Sequence, residues 1–132
     1  MTAAAFTFRL LPESLAICRL SADAPLPTWP RGAFVSTTRT PDELSIECDE
    51  RCVPPDVQCV RGRRALGIAG TVDFSTIGVI AGLTRPLADA GVSVFVVSTY
   101  DTDWILVQQK DLATAVRVLR AAGHVVLELP TS

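Results

Sequence analysis

The side chains that could do chemistry in this chain gather in two polar segments, Asp73–Gly78 and Ser98–Asp103. The first precedes apolar residues at helical spacing, so it supplies a helix N-terminus whose unpaired N–H groups attract an anion. The second ends in Asp103, whose carboxylate could accept hydrogen bonds from an ammonium or another cation, with Thr99 and Tyr100 beside it. We predict a small polar pocket between the Asp73–Gly78 loop and a hairpin in the first half of the chain, with Asp103 at its rim, for a ligand that carries both charges.

Three of these residues also have purely structural interpretations. Asp73 is equally suited to cap the helix. Gly78 would let a ligand approach the backbone, or would permit close packing of the helix on a sheet. Asp103 could hold a turn together through its side chain. The residue types alone leave these alternatives open.

A second set of reactive residues is a weaker candidate. Cys48, Cys52, Cys59 and His124 could form a zinc site, but the first spacing is unusual, no second close cysteine pair exists, and His124 is remote. The sequence therefore predicts no metal and no cofactor.

The sequence contains no GxSxG or Walker motif, so we predict no enzymatic activity. His124, just before a strand, is expected at a surface or an edge.

The composition narrows the class of protein. The chain has 132 residues and is 48% hydrophobic, which suits one domain or two small ones. Its net charge of -2 gives no basis for nucleic-acid binding. The basic cluster Arg61–Arg64 is interpreted as a solvated turn. No segment is apolar enough to span a membrane, and the N-terminus lacks signal-peptide features, so we predict a cytoplasmic protein whose four cysteines are free thiols.

Two stretches of the chain share an order of residue types. Ser36–Ile46 and Ser98–Val107 both follow a hydrophobic run and end in a β-prone segment. Each predicts a strand, a polar turn and a second strand. The similarity indicates a duplicated unit, although two ordinary hairpins would use the same turn residues.

The second half predicts the order β-α-β-β-α-β of the ferredoxin-like arrangement. The helices are expected from Asp73 or Ser75 to about Ala90 and from Asp111 to Gly123. The run Val92–Ser98 is nearly all apolar, as in a buried central strand. The other strands are expected at Ala65–Ala69, Trp104–Gln108 and Val125–Leu129.

The first half predicts strands without a regular helix. Pro25, Pro27 and Pro30 exclude a helix or a central strand between Ser21 and Gly32. Strands are expected at Phe6–Leu10, Ser14–Leu20, Ala33–Thr37, Leu44–Cys48 and Val57–Arg61.

Three motifs, Val72–Ala81, Pro86–Ser93 and Ser98–Asp103, resemble the ACT family. The likeness is to its tandem group, which includes eukaryotic arginine sensors and uncharacterised bacterial proteins. It covers Ala65–Leu129 and is weaker from Phe6 to Arg64, which resembles a degenerate ACT unit. We therefore predict an α+β protein of two ferredoxin-like units with antiparallel sheets, at residues 1–63 and 64–132.

The resemblance implies a regulatory protein that binds an amino acid where one unit's strand-to-helix loop meets the neighbouring unit, without catalysis. It also implies a homodimer and a regulated enzyme or protein partner. The alternative is a structural interaction protein with a vestigial site. The residues expected to contact the ligand are Ser36, Thr38, Asp73, Phe74, Ser75, Thr76, Ile77, Gly78, Thr99, Tyr100 and Asp103.

Overall fold

A computed structural model describes residues 5–73 and 76–129 of the chain. These residues contain eight strands and two α-helices. The strands are β1 (Thr7–Leu10), β2 (Leu15–Leu20), β3 (Ser36–Arg39), β4 (Leu44–Asp49), β5 (Gln58–Ile68), β6 (Val94–Ser98), β7 (Asp103–Gln108) and β8 (Val125–Glu128). The helices are α1 (Val79–Asp89) and α2 (Leu112–Ala121). The predicted α+β class is confirmed.

The chain divides into two compact units. The helical unit comprises the described residues up to Pro12 together with those from Arg64 onward, and the strand unit is Glu13–Arg63. Strand β1 thus belongs with the second half of the sequence, whereas the predicted ranges placed it in the first. From β5 to β8 the order is β-α-β-β-α-β, as the sequence predicts.

The sheet of the helical unit has the order β8-β1-β5-β7-β6. Strand β1 is parallel to β8, with Phe8 opposite Val126, and antiparallel to β5, with Phe8 also opposite Ile68. Strands β6 and β7 form an antiparallel hairpin. Among the described residues β6 pairs with β7 alone, so it is an edge strand. The prediction of a buried central strand is wrong here, because the apolar side chains of β6 remain partly exposed, Val96 to 36%.

The core of the helical unit lies between its two helices and one face of its sheet. The helices contribute Leu83, Leu87, Ala115, Val116 and Leu119, at the i, i+3 or i, i+4 spacing that puts side chains on one face. The sheet contributes the alternate residues of its strands, which point to one side of the pleat. They are Phe8, Leu10, Leu66, Ile68, Ile105, Val107 and Val126.

The strand unit is an antiparallel sheet in the order β3-β4-β2-β5. Its core is built from aliphatic and thiol side chains, with the partly buried Trp29 packed against it. Its one helical segment is the short 3-10 turn Glu50–Cys52. The proline-rich segment forms no helix or strand, as predicted.

Strand β5 corrects two predictions. We expected separate strands at Val57–Arg61 and Ala65–Ala69 with a basic turn between them, but a single strand runs through. The register to β2 shifts, with Leu15 opposite Arg63 and Ile17 opposite Val60. Gly62 takes φ 75° within this irregularity. A glycine at positive φ absorbs an extra residue as a β-bulge, so the strand continues where a turn was expected.

Both predicted hairpins form, but the shared residue types do not occupy equivalent positions. Ser36 begins β3, whereas Ser98 ends β6. The first turn is closed by the Thr40 N–H donating to the Glu43 carbonyl, and the second by Thr99 donating to Thr102. The residue alignment that pairs Ser36 with Ser98 is therefore offset in the structure, and the duplication of the unit stays a prediction.

Candidate functional site

The described residues of the helical unit line a cavity of about 470 Å³ beside the start of α1. Its wall comes from the loop that precedes α1, from the first turn of α1 and from the β6–β7 turn. The lining residues are Val72, Asp73, Thr76, Gly78, Val79, Ile80, Ala81, Ser98, Thr99, Tyr100, Thr102 and Asp103. The cavity therefore brings together residues of the Asp73–Gly78 loop and of the Ser98–Asp103 segment.

Helix α1 begins later than expected, with Gly78 at the N-cap position and Val79 as its first residue. Asp73 is therefore not the cap, and the alternative cap, Ser75, lies outside the described residues. Gly78 adopts φ 82°, where other residues are strained. A Cβ there would meet nothing within 4 Å, so close helix–sheet packing is not its role. Because glycine has no side chain to cap the helix, the first-turn N–H groups at Val79 and Ile80 lie at the cavity wall without one.

The β6–β7 turn is held in one conformation by hydrogen bonds. The backbone N–H of Thr99 donates to the Thr102 carbonyl at 2.8 Å, and the Thr99 hydroxyl donates to the same oxygen at 3.1 Å. The buried Thr102 hydroxyl donates to the Ile68 carbonyl of β5 at 2.8 Å. The Val72 N–H donates to the Asp101 carbonyl at 2.6 Å, which ties the loop before α1 to this turn. The cavity wall is therefore preorganised.

Asp103 is held by its neighbour across the ladder. It pairs in register with Ser98, whose hydroxyl donates to the Asp103 Oδ1 at 2.6 Å. This bond joins the two strand residues on either side of the β6–β7 turn, so it also fits the alternative in which Asp103 holds the turn. A carboxylate has about four acceptor positions, which leaves capacity for a ligand.

The charge at the cavity has one sign. Among the described residues that line it, the two with charged side chains are both carboxylates, Asp73 and Asp103. The partial positive charge in the wall comes from the N-terminus of α1. The arrangement suits a small molecule with a cationic group at one end and an anionic group at the other.

Of the remaining residues predicted to contact the ligand, some line the cavity and others do not. Thr76 lines the cavity, and Tyr100 lines it with 80% of its surface exposed. Ile77 is 96% exposed and lines a smaller neighbouring cavity. Phe74 and Ser75 lie outside the described residues. Ser36 and Thr38 are on β3 of the strand unit and do not line either cavity.

Several lining residues were not predicted from the sequence. Ser98 and Thr102 belong to the polar segment, but the sequence does not predict them as ligand contacts. Ser98 could have been found from its place directly opposite Asp103 once the hairpin register was assumed. Val79, Ile80 and Ala81 contribute through their positions in the first helical turn. The sequence predicts an earlier start for α1, so it does not place these three residues in the first turn.

The smaller cavity, about 140 Å³, is mostly apolar and includes His124. The His124 side chain is buried, which corrects the expectation of a surface or edge residue. Its ring stacks on Phe6 and meets Phe8 edge-on, and its Nδ1 accepts a hydrogen bond from the Phe6 N–H at 3.0 Å. Burial lowers the pKa of His124. The ring is therefore neutral near pH 7 and acts as a structural acceptor.

The residues of the hypothetical zinc set fall in different units. His124 is in the helical unit, and the three cysteines are in the strand unit. Over residues 5–73 and 76–129 no group of three or more His, Cys, Asp or Glu residues could hold a metal ion. Within the same ranges no helix is long and apolar enough to cross a membrane.

Two family models match the chain. The model described as an ACT domain matches residues 58–121, and a model of an N-terminal domain matches residues 13–56. Curated relatives include the cytosolic arginine sensor for mTORC1 subunit 1 of Rattus norvegicus, 33% identical over 105 residues. The Homo sapiens protein of the same name is 32% identical over 106 residues. The alignments cover 71% of this chain but only 31% and 32% of those relatives, so the chain spans about a third of their length.

Solved structures of other proteins have the same fold. A crystal structure of a protein from Agrobacterium tumefaciens is 38% identical, has a TM-score of 0.92, and is matched over 98% of this chain and 97% of that chain. The regulatory subunit of aspartate kinase from Thermus thermophilus is 14% identical, with a TM-score of 0.59 over 90% of this chain and 99% of that one. At that identity the second likeness shows the fold alone.

Proposed function

Because the chain belongs to the ACT domain family, we propose that it is a regulatory protein that binds a free amino acid in the cavity beside α1. One observation carries the proposal. The same cavity contains a helix N-terminus whose N-cap residue, Gly78, has no side chain to cap it, and two carboxylates, Asp73 and Asp103. An amino acid presents the complementary pair, a carboxylate and an ammonium, on one carbon atom.

The ligand carboxylate is proposed to lie at the start of α1. The N–H groups of the first helical turn have no intrahelical partner, and the helix dipole adds positive potential there. Val79, Ile80 and Ala81 place this turn in the cavity wall. The positive φ of Gly78 turns the chain into the helix without a side chain over those groups.

The ligand ammonium is proposed to lie at Asp103. Its carboxylate is oriented by Ser98 and stands at the head of β7. Asp73 adds a second negative charge to the wall. Reversing the ligand would bring like charges together, so the site selects one orientation of a zwitterion. That Ser36 and Thr38 complete the site from the first half stays a prediction.

A thermal-shift screen against the common amino acids tests the proposal, with arginine first because the relatives are named arginine sensors. A ligand that binds the native state raises the apparent stability by mass action, by about 2.7 kcal/mol at 100 times its Kd. We expect one or a few amino acids to raise the melting temperature. Decarboxylated and N-acetylated forms of the same compound should raise it less, because each lacks one of the two charges.

The second candidate function is a structural interaction protein with a vestigial site. It is favoured by apolar side chains on the edge strands of the helical unit, since Val125 and Leu127 on β8 are each about half exposed. A melting temperature that no amino acid changes at millimolar concentration would support this function over ligand sensing.

The proposal includes a partner, a place in the cell and an assembly state. We infer a homodimer, because strand edges such as β6 expose unpaired backbone groups. Sedimentation showing only monomer at tens of micromolar, on the order of common cellular affinities, would contradict it.

We further infer a cytoplasmic protein that reports the ligand to an enzyme or another protein, without catalysis or a cofactor of its own. The naming of the relatives as cytosolic sensors supports this.

A further inference from the structure

Four cysteine thiols lie together in the strand unit and have no part in the amino-acid cavity. Cys18 and Cys48 are buried in its core, and Cys52 and Cys59 are partly exposed. All four are free. Burial raises the pKa of both core thiols, that of Cys18 to about 11. The two core thiols are therefore protonated near neutral pH.

Cys48 and Cys52 are the pair with the chemistry to react. Their Sγ atoms are 3.5 Å apart, and the 3-10 turn that ends at Cys52 connects them. A disulfide bond is about 2.0 Å long, so the sulfur atoms must approach by roughly 1.5 Å. The Cys52 thiol donates to the Asp49 carbonyl at 2.9 Å, inside a short turn that is not part of a strand ladder. This turn can adjust more easily than the sheet.

We propose that Cys48 and Cys52 form a modification site at which a peroxide oxidises the two thiols to a disulfide. The Cys52 sulfur, the more exposed of the pair, attacks one peroxide oxygen; the S–O bond forms, the O–O bond breaks, and the departing hydroxide takes the thiol proton to become water. The Cys48 sulfur then attacks the Cys52 sulfur. The S–O bond breaks, and the second hydroxide leaves as water with the Cys48 proton. Two electrons pass from the thiols to the peroxide.

The neighbouring thiols are less suited to this bond. Cys18 and Cys59 are directly opposed on β2 and β5. Directly opposed antiparallel residues have Cβ atoms about 4.5–5.5 Å apart, whereas a disulfide prefers about 3.5–4.5 Å. Both residues are also fixed by strand pairing. Oxidation at this pair would strain the sheet.

Peptide mapping of the full chain after hydrogen peroxide treatment tests the proposal. Trypsin cleaves after arginine, so Cys18 falls in Leu10–Arg19, Cys48 in Thr40–Arg51, and both Cys52 and Cys59 in Cys52–Arg61. We expect Thr40–Arg51 to become linked to Cys52–Arg61 when the remaining thiols are alkylated before digestion. The link should disappear on treatment with a reductant.

Two serine variants identify the partner of Cys48. Cys59→Ser should keep the link, because Cys52 is then the one cysteine left in its peptide, and Cys52→Ser should lose it. Wild type and Cys59→Ser suffice if Cys52→Ser does not fold, as judged by circular dichroism. Loss of the link in a folded Cys59→Ser protein, a link to Leu10–Arg19 in its place, or Cys52 sulfinic acid without a link would each overturn the proposal.

Discussion

The indole of Trp104 lies directly over Gly67 on the paired strands β7 and β5. A Cβ atom at Gly67 would be 2.6 Å from both Cε3 and Cζ3 of the ring, closer than real Cβ contacts come. Gly67 has no positive φ, so its conformation does not require glycine. The indole requires it, because only a bare backbone leaves room for the ring to lie flat on the strand.

Gly67→Ala should therefore destabilise the protein by about 1–3 kcal/mol, the usual cost of overpacking a well-packed contact. Chemical denaturation of wild type and variant measures this cost. Trp104→Val is the matched background, because it removes the ring that the new methyl group meets. If Gly67→Ala costs as much in that background as in the wild type, the clash is not the cause.

The ferredoxin-like half could be predicted from the sequence because its signals are local. Amphipathic spacing such as Leu83 with Leu87 marks a helix whatever surrounds it. Strand position is a different kind of information. Val92–Ser98 has the composition of a central strand, but β6 lies at the edge because pairing is decided by residues distant in the chain. Composition reports how apolar a strand is, and it does not report how many neighbours it has.

Glycine positions were the main obstacle to predicting the strand unit and the site. Gly62 allows a bulge where a turn was expected, and Gly78 delays the start of α1 by several residues. Both depend on a positive φ, which a sequence does not reveal, because glycine also occurs at ordinary φ, as at Gly82. The site segments were found because polar residues grouped before a helix and in a turn. Their mutual distance required the fold.

Gly78→Ala tests the role of the unusual backbone at the start of α1. The space around Gly78 is open, so any cost must come from φ 82°, which disfavours an L-residue by about 1–2 kcal/mol. Gly82→Ala is the control in the same helix, since it meets nothing within 4 Å and has ordinary φ. It should stabilise by about 0.5–1 kcal/mol. Urea denaturation of both variants measures the two effects, and equal shifts would exclude backbone strain.

His124 should make the stability depend on pH. Burial lowers its pKa in the folded protein, so the unfolded chain binds the proton more readily. Its contribution is therefore fully present above the unfolded pKa of about 6.5 and is lost as the pH falls toward the folded value. Protonation would also turn the Nδ1 acceptor for the Phe6 N–H into a donor.

Urea unfolding between about pH 5 and pH 8, the range in which histidine titrates, measures this dependence. His124→Asn is the comparison, because an amide oxygen can accept the Phe6 hydrogen bond and does not titrate. The difference in unfolding free energy between wild type and variant should change with pH in this window. Glu47, whose pKa is raised by burial, contributes equally to both proteins and cancels. A pH-independent difference would show that His124 is not the titrating group.

Asp103→Ala is the decisive substitution for the proposed site. The carboxylate lines the cavity and is oriented by Ser98, so its loss removes a hydrogen bond to the ligand ammonium. A bond to a charged group is worth about 1.5–3 kcal/mol, which corresponds to roughly 10- to 150-fold weaker binding.

Asp89→Ala is the control for Asp103→Ala. It removes the same charge from the far end of α1, where the exposed side chain pairs with Arg85, and should leave the affinity unchanged. Calorimetry with the amino acid identified by the melting screen compares the three proteins. Equal affinities for wild type and Asp103→Ala would remove this residue from the site, and an Asp103→Ala protein that cannot fold would assign the carboxylate to holding the hairpin.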